Sequence, residues 1–170
     1  MNKDNIILIG MPGCGKSTVG VVLAKVLGYQ FVDSDLVIQS RMGKLLHEII
    51  EERGQQGFRQ VENDVNASLD CHRSVIATGG SVIYGPEAMA HLREMGTVVY
   101  IRLSCKEISR RLGDLHQRGV TLAPGQTLQD LYEERIPLYE QYAHLTVEAE
   151  GLKLRQVVAE IRHLLASCGN

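Results

Sequence analysis

No apolar run in this sequence approaches the roughly 20 residues that a bilayer-crossing helix needs. Neither sign of charge is in large excess. Eighteen Lys and Arg face twenty Asp and Glu, for a net charge of −2 and a pI near 6.3. Nothing therefore draws the chain as a whole toward nucleic acid or a membrane surface. The four cysteines, Cys14, Cys71, Cys105 and Cys168, lie far apart and form no C-x-x-C pair. That argues against a disulfide framework or a thiolate metal site and fits reduced thiols in a cytosol. The six histidines show no metal-ligand spacing. Met1-Asn2-Lys3-Asp4 leads almost at once into an apolar run, so no signal peptide is expected there. Repeats and low-complexity segments are also missing. What remains is 170 residues with 44% apolar content, enough for one domain with a sizeable core. The expectation is a cytoplasmic monomer that binds neither nucleic acid nor membrane.

The strongest positive signal is Gly10-Met11-Pro12-Gly13-Cys14-Gly15-Lys16-Ser17-Thr18, which fits G-x-x-x-x-G-K-[ST]. Asn5-Ile6-Ile7-Leu8-Ile9 before it reads as a buried strand. Val19, Val22, Leu23, Val26 and Leu27 after it recur at helical spacing. The motif thus joins a strand to a helix, as a phosphate-binding loop requires. Glycines let several backbone N–H groups turn toward one anion. The helix starting near Lys16 adds its unpaired N–H groups and the positive end of its dipole. Lys16 has the reach for β- and γ-phosphates, and the Ser17 hydroxyl suits Mg²⁺. The expected nucleotide-binding residues are Gly13, Cys14, Gly15, Lys16, Ser17 and Thr18.

Further along, Gln30-Phe31-Val32-Asp33 reads as a second strand ending in Asp33-Ser34-Asp35. Two carboxylates at the C-terminal edge of a parallel sheet lie where ligands bind. One aspartate would position Mg²⁺ and the other accept a proton, or Asp33 or Ser34 would simply cap the next helix. Residues from about 35 to 72 look helical, broken by Gly43, Gly54 and Gly57, with Phe58, Val61, Val65 and Leu69 on one face. This insert is long enough to wall the phosphate site. Arg59 in it meets an anionic acceptor, or lies on a solvated face, or pairs with Glu62 or Asn63. Ser74-Val75-Ile76-Ala77 is a third strand running into Thr78-Gly79-Gly80-Ser81, where two glycines permit close approach of a ligand. Thr97 to Leu103 is a fourth strand, and Ser104 caps a helix carrying Arg110 and Arg111. Residues from about 113 to 126, including Arg118, have no period and read as a mobile lid. Thr127 caps a helix bearing Arg135, Leu145 to Glu148 is a fifth strand, and an amphipathic helix closes the chain. Five strands alternating with helices predict an α/β protein, a parallel sheet covered on both faces in three α/β/α layers.

Taken together these pieces resemble the shikimate kinases, within the nucleoside-monophosphate-kinase-like group of P-loop proteins. The matching stretches are Gly10 to Thr18, Phe31 to Asp35, Phe58-Arg59 with Glu62, Ala77-Thr78-Gly79-Gly80, and Glu134-Arg135-Ile136-Pro137-Leu138-Tyr139, in order from end to end. The resemblance implies a five-stranded sheet in the order 2-3-1-4-5. It implies ATP and Mg²⁺ as cofactors and phosphorylation of the shikimate 3-hydroxyl, a step toward aromatic amino acids. By motif position Asp35 would hold the acceptor hydroxyl, and Asp33 would support Mg²⁺ with Ser17. Arg59 and Arg135 would grip the acceptor carboxylate, with Gly79 and Gly80 against its ring hydroxyls. Arg118 would be the lid arginine, catalytic with Lys16 and Asp35, and Arg110 or Arg111 would lie against adenine. Two arginines suit a planar carboxylate.

Three departures from the family pattern fall on the acceptor and lid side: Ser81 for a third glycine, Gly54-Gln55 for Gly-Glu, and Arg118-Gly119-Val120-Thr121 for Arg-Pro-Leu-Leu. They leave room for a related kinase of another hydroxylated acid, or for a nucleotide-binding regulator without turnover. Ser81 bears most on that choice. It would strain the turn if the position needs positive φ, and would be accommodated if the backbone there is ordinary.

Overall fold

The computed structural model describes residues 3–113, 120 and 122–168. Five strands, β1 (Asn5–Ile9), β2 (Gln30–Asp33), β3 (Ser74–Ala77), β4 (Gly96–Arg102) and β5 (Leu145–Glu148), form one sheet in the order β2-β3-β1-β4-β5. Every pairing is parallel, with β1 in the centre, Ile7 opposite Ile76 of β3 on one side and Val98 of β4 on the other. β1 and β3 are buried along their whole length, which is why they read as unbroken apolar runs with no alternation. The expected order is the one observed.

Among the described residues six α-helices connect the strands, α1 (Lys16–Leu27), α2 (Ser34–Met42), α3 (Leu46–Ala67), α4 (Pro86–Met95), α5 (Cys105–Leu112) and α6 (Leu128–Tyr142), and α7 (Leu154–Cys168) follows β5. A 3₁₀ turn, Val82–Tyr84, precedes α4. Stops and starts follow local chemistry. Gly28 and Gly43 end α1 and α2 in the left-handed conformation, Ser104 caps α5, and Thr127 with Asp130 forms a capping box on α6.

The long insert is α2 plus α3, and α3 bends at Gly54, whose φ of 73° and ψ of 175° interrupt the helix. A side chain there would carry the strain of positive φ, so glycine makes the bend possible. The insert packs Ile38, Ile49, Phe58, Val61 and Val65 into a small core of its own, apart from the main core around the sheet. At the opposite end of the sheet Asn5 is buried and fully employed. Its amide donates to the carbonyls of Cys71 and Met95 and accepts from the Ser74 N–H, tying the N-terminal strand ends together. The C-terminal strand ends are left to the loops that carry the candidate residues.

Candidate active site

β1 delivers the chain to the glycine loop at the C-terminal edge of the sheet. Gly10, Gly13 and Gly15 all adopt positive φ, and α1 starts at Lys16 with no side chain capping its first N–H groups. An uncapped helix start behind such a loop is an anion site by construction. Lys16 is buried, and its ammonium donates to the carbonyls of Gly10 at 2.7 Å and Met11 at 2.9 Å. The loop thereby holds the charge beside the cradle without committing it to a carboxylate. Cys14 points into the main core and its N–H bonds back to the Met11 carbonyl, so its thiol is a packing group behind the loop. Gly13, Gly15, Lys16, Ser17 and Thr18 line a cavity of about 860 Å³, and Cys14 does not.

Asp33 ends β2 beside that loop and serves two of the expected purposes at once. Its Oδ1 accepts from the backbone N–H groups of Asp35 and Leu36, capping α2, while its Oδ2 accepts from the Ser17 hydroxyl at 3.3 Å. Asp35, in the first turn of α2, faces the cavity. Burial, then the nearby Asp33 charge, push its carboxyl up to about 6, with Lys16 pulling it back. Such a carboxylate is ionised at neutral pH yet basic enough to take a proton.

Across the cavity, β3 hands over to Thr78-Gly79-Gly80-Ser81. A Cβ on Gly79 would sit 2.7 Å from Glu62 Oε2 and 2.9 Å from Asp35 Oδ1. One on Gly80 would meet Pro12 of the phosphate loop at 2.7 Å and Arg135 at 3.0 Å. Only bare backbone lets these groups converge. The fully buried Tyr139 of α6 donates its hydroxyl to the Gly80 carbonyl at 2.6 Å and so hangs this loop from the core. Glu62 is 2% exposed, and its Oε1 accepts from the Ser81 hydroxyl at 2.5 Å while its Oε2 has no partner. Burial drives the Glu62 carboxyl up to about 7, against the lowering effect of the Ser81 hydrogen bond. Ser81 itself has φ −96° and ψ 3°, ordinary for any residue. The departure from glycine is therefore accommodated, and its hydroxyl serves a carboxylate of the protein.

Arg59 from α3 and Arg135 from α6 both line the cavity, and Arg135 is only 5% exposed. Neither forms an ion pair among the described residues, and the Nε of each is buried without a hydrogen-bond partner. Unpaired buried guanidiniums are costly unless something anionic completes them. Of the two arginines on α5, Arg111 lies at the cavity beside Gly15, whereas Arg110 points to solvent and is clamped bidentately by Glu107. Arg118 lies outside the described residues; Val120 and Leu122, from the same segment, line the cavity.

The family model for shikimate kinase matches residues 12–166. The chain belongs to the shikimate kinase family. It is 39% identical over 165 residues to the shikimate kinase of Paracidovorax citrulli, covering 94% of this chain and 89% of that one. With the enzyme of Synechococcus sp. strain RCC307 the identity is 43%, over 89% of this chain and 78% of its counterpart. Among solved structures, the Acinetobacter baumannii shikimate kinase in complex with shikimate superposes with a TM-score of 0.87 at 35% identity, over 96% and 93% of the two chains. A gluconokinase from Sinorhizobium meliloti, at 17% identity and a TM-score of 0.50, shares the fold alone.

Two groups in this shikimate-kinase site went unassigned by sequence. Glu62 stands at i+4 from Phe58, inside the apolar stripe of Phe58, Val61, Val65 and Leu69. An acid on a buried helix face is a signal of function in its own right. Tyr84 has no such signal, because its partners come from α3 and α6, far away in sequence.

Proposed function

We propose that this chain transfers the γ-phosphoryl group of ATP to the 3-hydroxyl of shikimate, giving shikimate 3-phosphate and ADP. The observation that carries the reading is the single cavity joining the phosphate loop to Asp35 and to two unpaired arginines. The arginines grip the acceptor carboxylate as a planar, bidentate pair. The Gly79-Gly80 backbone admits the ring, and Asp35 takes the hydroxyl proton as the new O–P bond forms and the bond to ADP breaks. Loop N–H groups and Lys16 carry charge on the transferring phosphate, where catalysis is mostly alignment and neutralisation.

Mg²⁺ fits the oxygen pair Ser17 Oγ and Asp33 Oδ2, which already meet at 3.3 Å. No cluster of three or more His, Cys, Asp or Glu among the described residues could hold a metal by itself. The ion would therefore arrive on nucleotide phosphates, as Mg²⁺ commonly does, and supply charge on them. In this reading Arg111, which lines the cavity near Gly15, would flank the nucleotide base, and the segment from 113 to 126 would serve as the lid with Arg118, which lies outside the described residues. A cytoplasmic monomer is the proposed setting. No helix among the described residues is long and apolar enough to cross a membrane, and the four cysteines are unpaired.

The test is coupled ADP release with shikimate, quinate and gluconate as acceptors. Turnover on shikimate at least tenfold above the others is expected. Preference for another hydroxy acid would reassign the acceptor, and tight ATP binding without turnover on any would reduce the chain to a nucleotide-binding regulator.

A further inference from the structure

The 3₁₀ turn after Ser81 brings Tyr84 against both acceptor arginines. Its ring is half-buried, anchored by the buried Val82 and Ile83 on the same turn. The Arg59 guanidinium carbon lies 3.9 Å from the ring centroid and that of Arg135 lies 5.5 Å from it. The phenol hydroxyl donates to Glu134 Oε1 at 2.7 Å, which anchors the outer end of the ring. Two like charges aimed into one cavity repel each other, and no carboxylate among the described residues pairs with either. The π face of Tyr84 is the neutral surface that can attract both without neutralising them. An acid in its place would pair with the guanidiniums and compete with the ligand.

The geometry points to Tyr84 as a positioning residue that holds Arg59 and Arg135 in the orientation the acceptor carboxylate needs. It acts through the arginines and does not itself line the cavity. Its benefit is pre-organisation: side chains already ordered do not lose rotamer freedom when the ligand arrives. The effect therefore falls on acceptor binding and leaves the nucleotide side alone. This inference rests on the acceptor carboxylate being held by the two arginines, as proposed above.

The experiment compares Tyr84→Phe and Tyr84→Leu with the parent in steady-state kinetics, varying shikimate and ATP separately. Tyr84→Leu should raise the shikimate KM about 3- to 30-fold, the size a partly desolvated guanidinium–ring contact carries. The ATP KM should stay within about twofold. Tyr84→Phe keeps the ring and should remain within about threefold of the parent in shikimate KM. A parent-like KM in Tyr84→Leu overturns the inference, as does a Tyr84→Phe variant as impaired as Tyr84→Leu, which would assign the role to the hydroxyl. A merely structural role would raise both KM values and lower the melting temperature together.

A second readout needs no substrate. In protein labelled with ¹⁵N-arginine, the Nε–H resonance of Arg59, assigned by its loss in Arg59→Lys, should carry a ring-current displacement. That displacement should persist in Tyr84→Phe and vanish in Tyr84→Leu. Its absence in the parent overturns the stacking. Its presence in a parent inactive on shikimate rejects the proposed acceptor and leaves the clamp standing.

Discussion

Replacing Asp35 by asparagine should stabilise the protein above neutral pH while removing most of its turnover. Burial and the Asp33 charge hold the Asp35 carboxyl at about 6, against an ordinary 3.8. An acid whose folded-state pKa is raised binds its proton more tightly in the folded chain. It therefore favours folding below the unfolded value, and that contribution is lost as pH climbs from 3.8 through about 6. A rise of about two pH units at about 1.4 kcal/mol each sets a ceiling near 3 kcal/mol. Solvent reaching the half-buried carboxylate reduces this to about 1–2 kcal/mol. Asparagine has the same shape and no charge, so at pH 8 the variant should gain that much, a Tm increase of about 2–8 °C for a chain of this length. At pH 4.5 the folded parent carries the proton itself while most of the unfolded chain does not, and the difference in melting temperature should shrink to about a third of its size at pH 8. Catalysis moves the other way, with a kcat loss on the order of 10²–10⁴ at saturating substrates and little change in ATP KM. Thermal unfolding at pH 4.5, 6 and 8, beside steady-state kinetics, reads both effects. A variant no more stable than the parent at pH 8 refutes the electrostatic argument, and an unchanged kcat refutes the proton-accepting role.

Lys16→Met should abolish turnover and leave the circular dichroism spectrum intact, since the ammonium bonds only within its own loop, to the Gly10 and Met11 carbonyls and the Cys14 sulfur; near-normal turnover would remove the phosphate loop from catalysis. Arg59→Lys or Arg135→Lys should raise the shikimate KM by about tenfold or more and leave the ATP KM nearly constant, because lysine keeps the charge and loses the fork. An equal rise in both would assign these arginines to the nucleotide or the fold. Ser81→Gly should change kcat/KM for shikimate by less than about tenfold, or 1.4 kcal/mol, because the hydroxyl serves Glu62 and the backbone conformation is ordinary. A larger drop would make the hydroxyl part of the acceptor pocket.

How far the sequence could be read depended on how local each signal was. The strands were legible because a sheet buried on both faces demands continuous apolar runs, and Ile6 to Ile9 and Val75 to Ala77 supply them. The phosphate loop was legible because its spacing, its preceding strand and its following helix are contiguous. Asp33 and Asp35 could be found from their position at a strand end. Its division of labour between capping α2 and meeting Ser17 could not, since that depends on two loops touching. The Ser81 question turned on a single φ angle, which no neighbouring residue announces. Tyr84, Tyr139 and Asn5 were missed for one shared reason. Each acts by contacts with elements tens of residues away, and neither periodicity nor capping chemistry encodes such contacts.

The separate core of the insert has a consequence for how this architecture changes its clientele. Ile38 of α2 and Ile49, Phe58, Val61 and Val65 of α3 pack on one another across the glycine bend, as a cluster distinct from the apolar mass that supports the sheet. Side chains that line the acceptor pocket from this unit, such as Ile50, Gln55 and Arg59, are therefore borne on a cassette with its own foundations. Exchanging that cassette leaves the phosphate loop alone and asks for a new fit along α4, where Asn63 of α3 donates to Glu87 and accepts from the Ala88 N–H. Donor chemistry stays fixed in such a plan, while the choice of recipient is free to drift.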